Sequence, residues 1–271
     1  MRIGIVGTGL IGASVGMALK TQGHQVFGLD TNSEHISTAL RRNAIDQAAD
    51  LAEISQLDVV FMCISPSLLV PIAEEAYAQR GELTIFTDCG STKTDVAAWA
   101  KDKPMFVPGH PMAGHEKSGP AYATNWLFRG AKWILTPNAQ TDKHAVSVIE
   151  GLVKEMEATP VCIPPDTHDQ QVGILSHLPH VVAALLIESR NSVPKADVSG
   201  GSWKDLTRVA GVDPGLWTDI LMSNRQELVK VLADFSSNLS GVQEMLEQGD
   251  REALNSWLRD IVKWKAKQNE S

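Results

Sequence analysis

The hydrophobic positions of the first half of the chain form short runs, separated by segments with a helical period. Most runs lack the alternation of a half-exposed strand, which is typical of buried parallel strands. Helices are predicted over Leu10–Lys20, Ser67–Gln79 and Thr141–Met156, with another that follows Lys93. Strands are predicted over Arg2–Val6, Gln25–Leu29, Asp58–Ile64, Leu83–Asp88, Met105–Val107, Lys132–Leu135 and Pro160–Ile163.

This alternation of strand and helix predicts an α/β fold, a Rossmann-type doubly wound parallel sheet. Pro164-Pro165 is the predicted domain boundary, which divides the chain into residues 1–164 and 165–271. Beyond it only helical periods occur, over Thr167–Arg190 and from Asp213-Pro214 to about Gln248. Asp166 is predicted to cap the first of these helices, and Asp169 to lie at its third position, where a carboxylate is favourable. A short helix that begins at Asp250 ends the chain. The second domain is therefore predicted to be all-α.

The predicted helix that begins at Asp213 carries an apolar stripe at nearly seven-residue spacing. At about 1.5 Å per residue it would extend some 50 Å, so a small domain cannot cover it alone. We expect a homodimer sealed by these C-terminal helices. The stripe consists of Trp217, Leu221, Leu228, Phe235 and Val242, flanked by Leu232, Leu239 and Leu246.

Composition and charge narrow the classes of protein. The formal net charge of −8 argues against a nucleic-acid binder and gives no sign of a membrane surface as partner. No uninterrupted apolar run approaches the roughly 18 residues of a membrane helix. Cys63, Cys89 and Cys162 are separated in the sequence without metal-site spacing, so we expect buried free thiols, no metal and a cytoplasmic protein.

Gly7, Gly9 and Gly12 form a GxGxxG motif between the first strand and the first helix. Such glycines allow a tight turn, the approach of a pyrophosphate and close packing of helix on strand. Leu10 and Ile11 lie in the first helical turn, whose free N–H groups favour phosphate. The motif in this setting predicts a dinucleotide site.

Asp30 ends the second strand, where an acidic residue binds the adenosine ribose. A carboxylate there favours NAD because it repels a 2′-phosphate. Thr31, Asn32 and Ser33 follow, and their donors suit a phosphate if Asp30 turns away. The residues therefore leave NAD and NADP both open.

The stretch Val107–Gly119, VPGHPMAGHEKSG, is predicted to be a loop that leaves the sheet edge. It contains His110, His115, Glu116 and Lys117, and a histidine in such a loop suits a general base. Ligands of doubly wound sheets lie beyond the carboxyl ends of the strands. Those ends carry the glycine motif, Asp30, Ser65, Ser91 and His110.

The helical half offers a second set of polar residues. His177 and His180 are three residues apart and share a helix face. Pro179 removes one helical hydrogen bond and predicts a kink beside them. Arg208 is a candidate clamp for a substrate carboxylate.

Four motifs in this order, DCGSTK, GHPMAGHEKSG, SHLPH and KDLTRVAGVDPGLW, resemble the TyrA family of prephenate and arogenate dehydrogenases. The resemblance covers nearly the whole chain. In its compact length this sequence is similar to cyanobacterial arogenate dehydrogenases. That group generally uses NADP, so the resemblance favours NADP without excluding NAD.

The resemblance also implies roles for individual residues. His110 corresponds to the family's catalytic histidine and Ser91 to the serine that hydrogen-bonds it. His115 receives no role. The implied substrate contacts are His177, His180, Arg208, Glu116 and Trp217.

The implied reaction is oxidative decarboxylation of arogenate to tyrosine, in which neutral His110 takes the hydroxyl proton as hydride leaves for nicotinamide. Prephenate, which would give 4-hydroxyphenylpyruvate, is the alternative substrate. A β-hydroxyacid dehydrogenase would depend on a lysine such as Lys195 or Lys204, neither of which lies in a matching motif. A non-catalytic dinucleotide sensor would not need His110, Ser91 and Arg208 together.

Overall fold

The structure, a computed structural model, describes residues 1–115, 117–192 and 199–268. The strands are β1 (Arg2–Val6), β2 (Gln25–Leu29), β3 (Gln47–Ala48), β4 (Val59–Met62), β5 (Ile85–Asp88), β6 (Phe106–Val107), β7 (Gly109–Pro111), β8 (Lys132–Leu135) and β9 (Thr159–Cys162). The helices of the first half are α1 (Leu10–Thr21), α2 (Ser33–Arg41), α3 (Leu51–Ile54), α4 (Pro66–Ala78), α5 (Thr94–Trp99) and α6 (Lys143–Glu155). Those of the second half are α7 (Pro165–Val172), α8 (Leu178–Arg190), α9 (Gly201–Thr207), α10 (Pro214–Ser223), α11 (Arg225–Glu247) and α12 (Arg251–Gln268).

The main sheet has six parallel strands in the order β3-β2-β1-β4-β5-β6. The order reverses beside β1, and a dinucleotide crosses such sheets at that point. β4 and β5 are buried along their whole length, which explains the unbroken apolar sequence of β4. The predicted Rossmann-type sheet followed by a helical region is confirmed.

A second sheet of three strands, β7-β8-β9, lies beside the first. The prediction that Lys132–Leu135 and Pro160–Ile163 extend the doubly wound sheet is wrong in this respect. The prediction of a loop from Val107 is also wrong at its start, because β7 pairs antiparallel with β8 and His110 lies opposite Ile134. A three-residue strand with a proline and a glycine carries too little hydrophobic pattern to be recognised.

Two buried clusters cover the two faces of the main sheet. One contains Ile3, Ile5 and Phe61 and continues to Trp133 of the second sheet, whose ring meets Phe61 edge-on. The other contains Val60, Met62 and Phe86 on the opposite face. The short β7 is thus attached to a densely packed support.

The helical segment Pro165–Arg190 has a π turn over Gly173–His177 between α7 and α8. Pro179 has no N–H for the carbonyl of Leu175, and the wider turn lies just before it. This segment is long and apolar enough to cross a membrane. Core helices of soluble proteins meet the same two criteria of length and composition. It carries three buried polar side chains, His168, Asp169 and His177.

The prediction of one helix from Asp213 to about Gln248 is wrong, because the helix is interrupted at Asn224 between α10 and α11. Asn224 is only 3% exposed. Its side chain donates to the carbonyl of Asp169 and contacts Nδ1 of His177, so tertiary bonds replace the regular helical turn.

Contacts divide the chain into two compact units, Met1–Arg225 and Gln226–Ser271. The first unit includes α7, α8 and α10 with the sheets, so this division differs from the predicted boundary after residue 164, which stays a prediction. The second unit contains most of α11 and all of α12. Its exposed large apolar side chains are Val229, Phe235, Leu239, Leu246, Trp257, Leu258, Ile261, Val262 and Trp264.

Candidate active site

The glycine turn between β1 and α1 has the geometry of a phosphate cradle. Gly7 has a φ of +91°, and a Cβ there would strike the backbone carbonyl of Cys63. A Cβ on Gly12 would overlap the carbonyl of Gly7, so only glycine lets α1 approach the turn. A Cβ on Gly9 would meet nothing within 4 Å, and the first turn of α1, with Leu10 and Ile11, has no side-chain cap. These residues fit a dinucleotide pyrophosphate.

The Asp30 carboxylate is held by donors of the protein itself. One oxygen accepts from the Thr8 N–H at 2.8 Å and the Thr8 hydroxyl at 3.2 Å, and it also lies 3.2 Å from Nδ1 of His35. The other accepts from the Asn32 N–H at 2.9 Å. The side chain is 12% exposed, so Asp30 is turned towards the glycine turn. Thr8, an unassigned residue of the motif, is what anchors it.

The other predicted cofactor residues lie around the same edge. Thr31 is exposed beyond β2, and the Asn32 side chain caps α2 by accepting from the Glu34 N–H. The Ser65 hydroxyl, before α4, donates to the carboxylate of Asp219 on α10. Ser67 donates to the same oxygen at 2.7 Å, and these bonds lower the pKa of Asp219. Sequence alone gave no sign of this link to α10.

A buried ion pair lies beneath the strand that carries His110. Asp88, at the end of β5, and Lys93 are both fully buried and joined carboxylate to ammonium. Asp88 also accepts from the Gly90 N–H at 2.8 Å and the Gly109 N–H at 3.0 Å. Asp88 therefore ties the backbone preceding His110 to the loop that contains Ser91.

The half-buried His110 has an imidazole as its direct partner. Its Nδ1 lies 2.8 Å from Nε2 of His168, and Nδ1 of His168 lies 2.7 Å from the carboxylate of Asp169. Burial, followed by the nearby charges of His168, Lys93 and His177, lowers the pKa of His110 well below its usual range. His110 is therefore neutral at neutral pH, as a base must be.

The expected partner of His110, Ser91, makes no hydrogen bond with it in this structure. Ser91 is half-buried in the loop between β5 and α5, and His168 takes its place as the partner of Nδ1 of His110.

The prediction that Asp166 caps the helix is wrong, because α7 begins at Pro165 after Pro164. Asp169, predicted only as a helix-start carboxylate, instead accepts from the N–H groups of Lys93 and Thr94, both at 2.8 Å.

His177 and His180 share a helix face, as predicted, and both contact Trp217. The rings of His180 and Trp217 stack at a centroid distance of 3.6 Å, and His177 meets Trp217 edge-on at 6.3 Å. His177 is 1% exposed, and burial lowers its pKa to about 4. Burial also lowers the pKa of His180, whose Nδ1 donates to the Ser176 carbonyl. His180 is thus the more accessible of the two.

Arg208 follows α9, is exposed, and is close enough to His180 for its charge to contribute to the lowered pKa of that histidine. A cavity of about 380 Å³ opens beside His180 and Trp217, between α8 and α10. The predicted contact Glu116 lies outside the described residues, as does Lys195. His115 stacks on Tyr122 at 6.4 Å and accepts from the Lys117 N–H.

The cysteines differ from their predicted arrangement. Cys63 and Cys89 follow neighbouring strands, and their sulfur atoms lie 3.3 Å apart. Burial, with the contact to Cys63, raises the pKa of the Cys89 thiol well above its usual range, so it stays protonated. Cys162 is exposed instead of buried.

A glycine cradle for a dinucleotide and a neutral histidine in a polar site define a nicotinamide-dependent dehydrogenase. The sequence matches the family model described as prephenate dehydrogenase, nucleotide-binding domain, over residues 15–162. It matches prephenate dehydrogenase, dimerization domain, over residues 164–260. The chain belongs to the prephenate dehydrogenase family.

Individual relatives agree with this assignment. The chain is 34% identical to a prephenate dehydrogenase of Bacillus subtilis, with 92% of this chain and 71% of the relative covered. It resembles the solved Aquifex aeolicus prephenate dehydrogenase in complex with hydroxyphenyl propionate and NAD+, at 31% identity, a TM-score of 0.91 and coverage of 100% and 98%. Synechocystis arogenate dehydrogenase is 29% identical, with a TM-score of 0.83 and coverage of 99% and 100%.

Proposed function

We propose that this protein catalyses the NAD(P)-dependent oxidative decarboxylation of arogenate to tyrosine, with His110 as the general base. The proposal rests on the hydrogen bonding and the protonation of His110. Its Nδ1 is engaged by His168, and its lowered pKa keeps it neutral. Its second nitrogen, Nε2, is then free to take a proton from a substrate hydroxyl.

The chain's own residues supply positioning and one proton acceptor. Arg208 binds a substrate carboxylate, and His180, stacked on Trp217, forms a wall against the ring. His110 takes the 4-hydroxyl proton at Nε2. Bound nicotinamide supplies the acceptor for the hydride that leaves C4. Loss of the ring carboxylate as CO2 then forms the aromatic ring, which provides the driving force.

We infer NADP as the cofactor, with NAD as the alternative. A carboxylate at this position generally repels a 2′-phosphate, but the oxygens of Asp30 face Thr8, Asn32 and His35. That orientation leaves the exposed Thr31 and Ser33 to meet a phosphate. The Aquifex aeolicus relative, which was solved with NAD+, supports the alternative.

Prephenate is the second candidate substrate, because the Bacillus subtilis and Aquifex aeolicus relatives are named for it. Arogenate and prephenate differ only in an amine against a keto group on the side chain. The resemblance to the compact cyanobacterial enzymes, represented by Synechocystis arogenate dehydrogenase, favours arogenate.

The assembly proposed is a homodimer formed through the C-terminal helices, in the cytoplasm, with small molecules as the other partners. The dimerization-domain model over residues 164–260 supports it. So do the exposed apolar side chains of α11 and α12, such as Leu239 and Val262, which are 59% and 69% exposed.

Steady-state kinetics with both substrates and both cofactors tests the proposal. Reduced nicotinamide should appear with arogenate and NADP, with a kcat/KM at least about tenfold above that with prephenate, a difference of about 1.4 kcal/mol. A higher kcat/KM for prephenate or NAD would change the substrate or cofactor assigned. No turnover in any combination would refute the reaction.

A further inference from the structure

His168 has both ring nitrogens engaged, one by His110 and the other by Asp169. The distances are 2.8 Å from Nε2 to Nδ1 of His110 and 2.7 Å from Nδ1 to Oδ1 of Asp169. His168 and Asp169 are each 1% exposed, so water does not compete for these bonds. The three side chains therefore form one continuous series of contacts, buried at His168 and Asp169, that ends at the proposed base.

The Asp169 carboxylate determines the direction of the hydrogen bonds from His110 through His168. Burial acts to raise the pKa of Asp169, but hydrogen bonds from His168, Thr94 and Lys93 outweigh it and lower that pKa. An ionised carboxylate only accepts, so Nδ1 of His168 donates to it. We assign the acceptor role to Nε2 of His168, so that Nδ1 of His110 donates. This leaves the lone pair of His110 on Nε2.

We propose that His168 and Asp169 are positioning residues for His110, which hold its Nδ1–H tautomer and take up its Nδ1 proton during the reaction. This inference rests on the proposed function. As the substrate O–H bond breaks, an N–H bond forms at Nε2 of His110. The Nδ1–H bond of His110 breaks and an N–H bond forms at Nε2 of His168. His110 ends neutral, and His168 ends as an imidazolium beside the Asp169 carboxylate.

The charges around the chain favour this transfer. Burial, a charge on His168 and the nearby Lys93 ammonium all oppose a positive charge on His110. Asp88 compensates Lys93 directly. His168 contacts the Asp169 carboxylate, so a positive charge there has an adjacent counter-ion in a buried site.

Two segments outside α7 hold Asp169 in place at the far end. Its carboxylate oxygens accept from the N–H groups of Lys93 and Thr94 at the start of α5. The carbonyl of Asp169 accepts from Asn224 between α10 and α11, at 2.9 Å. Asp169 cannot turn away without losing these bonds, so the chain presents His110 in one orientation.

The first test is nitrogen-15 NMR of the His110 ring in the substrate-free wild type, which does not depend on turnover. We expect a protonated Nδ1 and an unprotonated Nε2. His168→Leu should lose this tautomer, whereas His168→Gln should retain it because the Gln carbonyl still accepts from Nδ1. A protonated Nε2 in the wild type would overturn the inference, whether or not the protein oxidises arogenate.

The second test is kinetic and separates holding from proton uptake. His168→Gln should lower kcat about 10- to 100-fold at unchanged KM, because Gln accepts the hydrogen bond but not the proton. His168→Leu, which accepts neither the hydrogen bond nor the proton, should lower kcat further than His168→Gln. His24→Gln is the matched control. It removes a histidine that lies outside the site and pairs with Glu155 at a distance of 2.7 Å.

Each kinetic outcome decides the proposal. A kcat for His168→Gln equal to that of the wild type would overturn proton uptake, and equal kcat values for His168→Gln and His168→Leu would overturn the positioning role. Retained cofactor binding shows that the variants are folded. If the wild type turns over neither arogenate nor prephenate, the proposed function fails, while the NMR result still decides the tautomer.

Discussion

Nδ1 of His110 lies 2.8 Å from Nε2 of His168, and this contact joins the two parts of the site. His110 belongs to β7 in the second sheet, whereas His168 belongs to α7 in the helical segment after the Pro164-Pro165 boundary. Both lie in the same compact unit. The proposed base is therefore oriented by a helix that follows the nucleotide-binding sheet in the sequence.

Arg208→Ala should raise KM for the substrate about 10- to 100-fold, with kcat within about threefold of the wild type, because a charge-assisted bond contributes about 1.5–3 kcal/mol. Steady-state kinetics at saturating cofactor measures both constants. Lys204→Ala, an exposed cation on α9, is the control and should change neither. An unchanged KM for Arg208→Ala would remove Arg208 from the site.

Lys93→Met should destabilise the protein by about 3–5 kcal/mol, because it leaves the buried carboxylate of Asp88 without its counter-ion. Urea denaturation at pH 7 measures the free energy of unfolding. Lys263→Met breaks an exposed pair with Asp260 and should have an effect too small to resolve. Equal stability of the two variants would show that the buried pair does not support the fold.

The free energy of unfolding should fall as the pH is lowered from 6.5 to about 4, partly because of His177. Its pKa is about 4 in the folded protein and 6.5 when unfolded, so the unfolded state binds more protons in this window. The loss from this residue is about 3 kcal/mol at the acid end. Asp169, whose pKa is also lowered, acts in a more acid range, below 3.8.

Urea denaturation at several pH values tests this dependence. His177→Gln should be less stable at pH 7 and should show a shallower loss between pH 6.5 and 4. A slope equal to that of the wild type would mean that His177 does not titrate in this window.

Leu239→Glu should convert the proposed dimer to monomer at micromolar concentration, since it places a charge in the apolar stripe of α11. Sedimentation velocity measures the mass. Leu83→Glu, at a site 80% exposed before β5, is the matched control and should leave the dimer intact. A wild type that sediments as a monomer would contradict the dimer itself.

The main sheet could be predicted because each of its longer strands is a buried apolar run followed by a helical period, and such local patterns are readable in the sequence. The glycine cradle was predictable for the same reason, since its spacing is local. Cys63 and Cys89 directly follow two strands that pair in parallel, β4 and β5. Their proximity therefore follows from the strand order, although they are distant in the sequence.

The partners of His110 could not be predicted, because they depend on how distant segments meet. Asp169 at a helix start is explained locally by the helix dipole, and that explanation concealed its bonds to Lys93 and Thr94. Asn224 interrupts an otherwise continuous apolar period only because of its bonds to Asp169 and His177. Such side-chain bonds leave no period in the sequence.

The role of His110 as the base is tested by the rate of hydride transfer in a single turnover, in the wild type and in His110→Asn. The absorbance of reduced nicotinamide follows this rate. At saturating arogenate and NADP, we expect a fall of about 10²- to 10⁴-fold in this rate with cofactor affinity unchanged. A rate within about threefold of the wild type would contradict the assignment of His110 as the base.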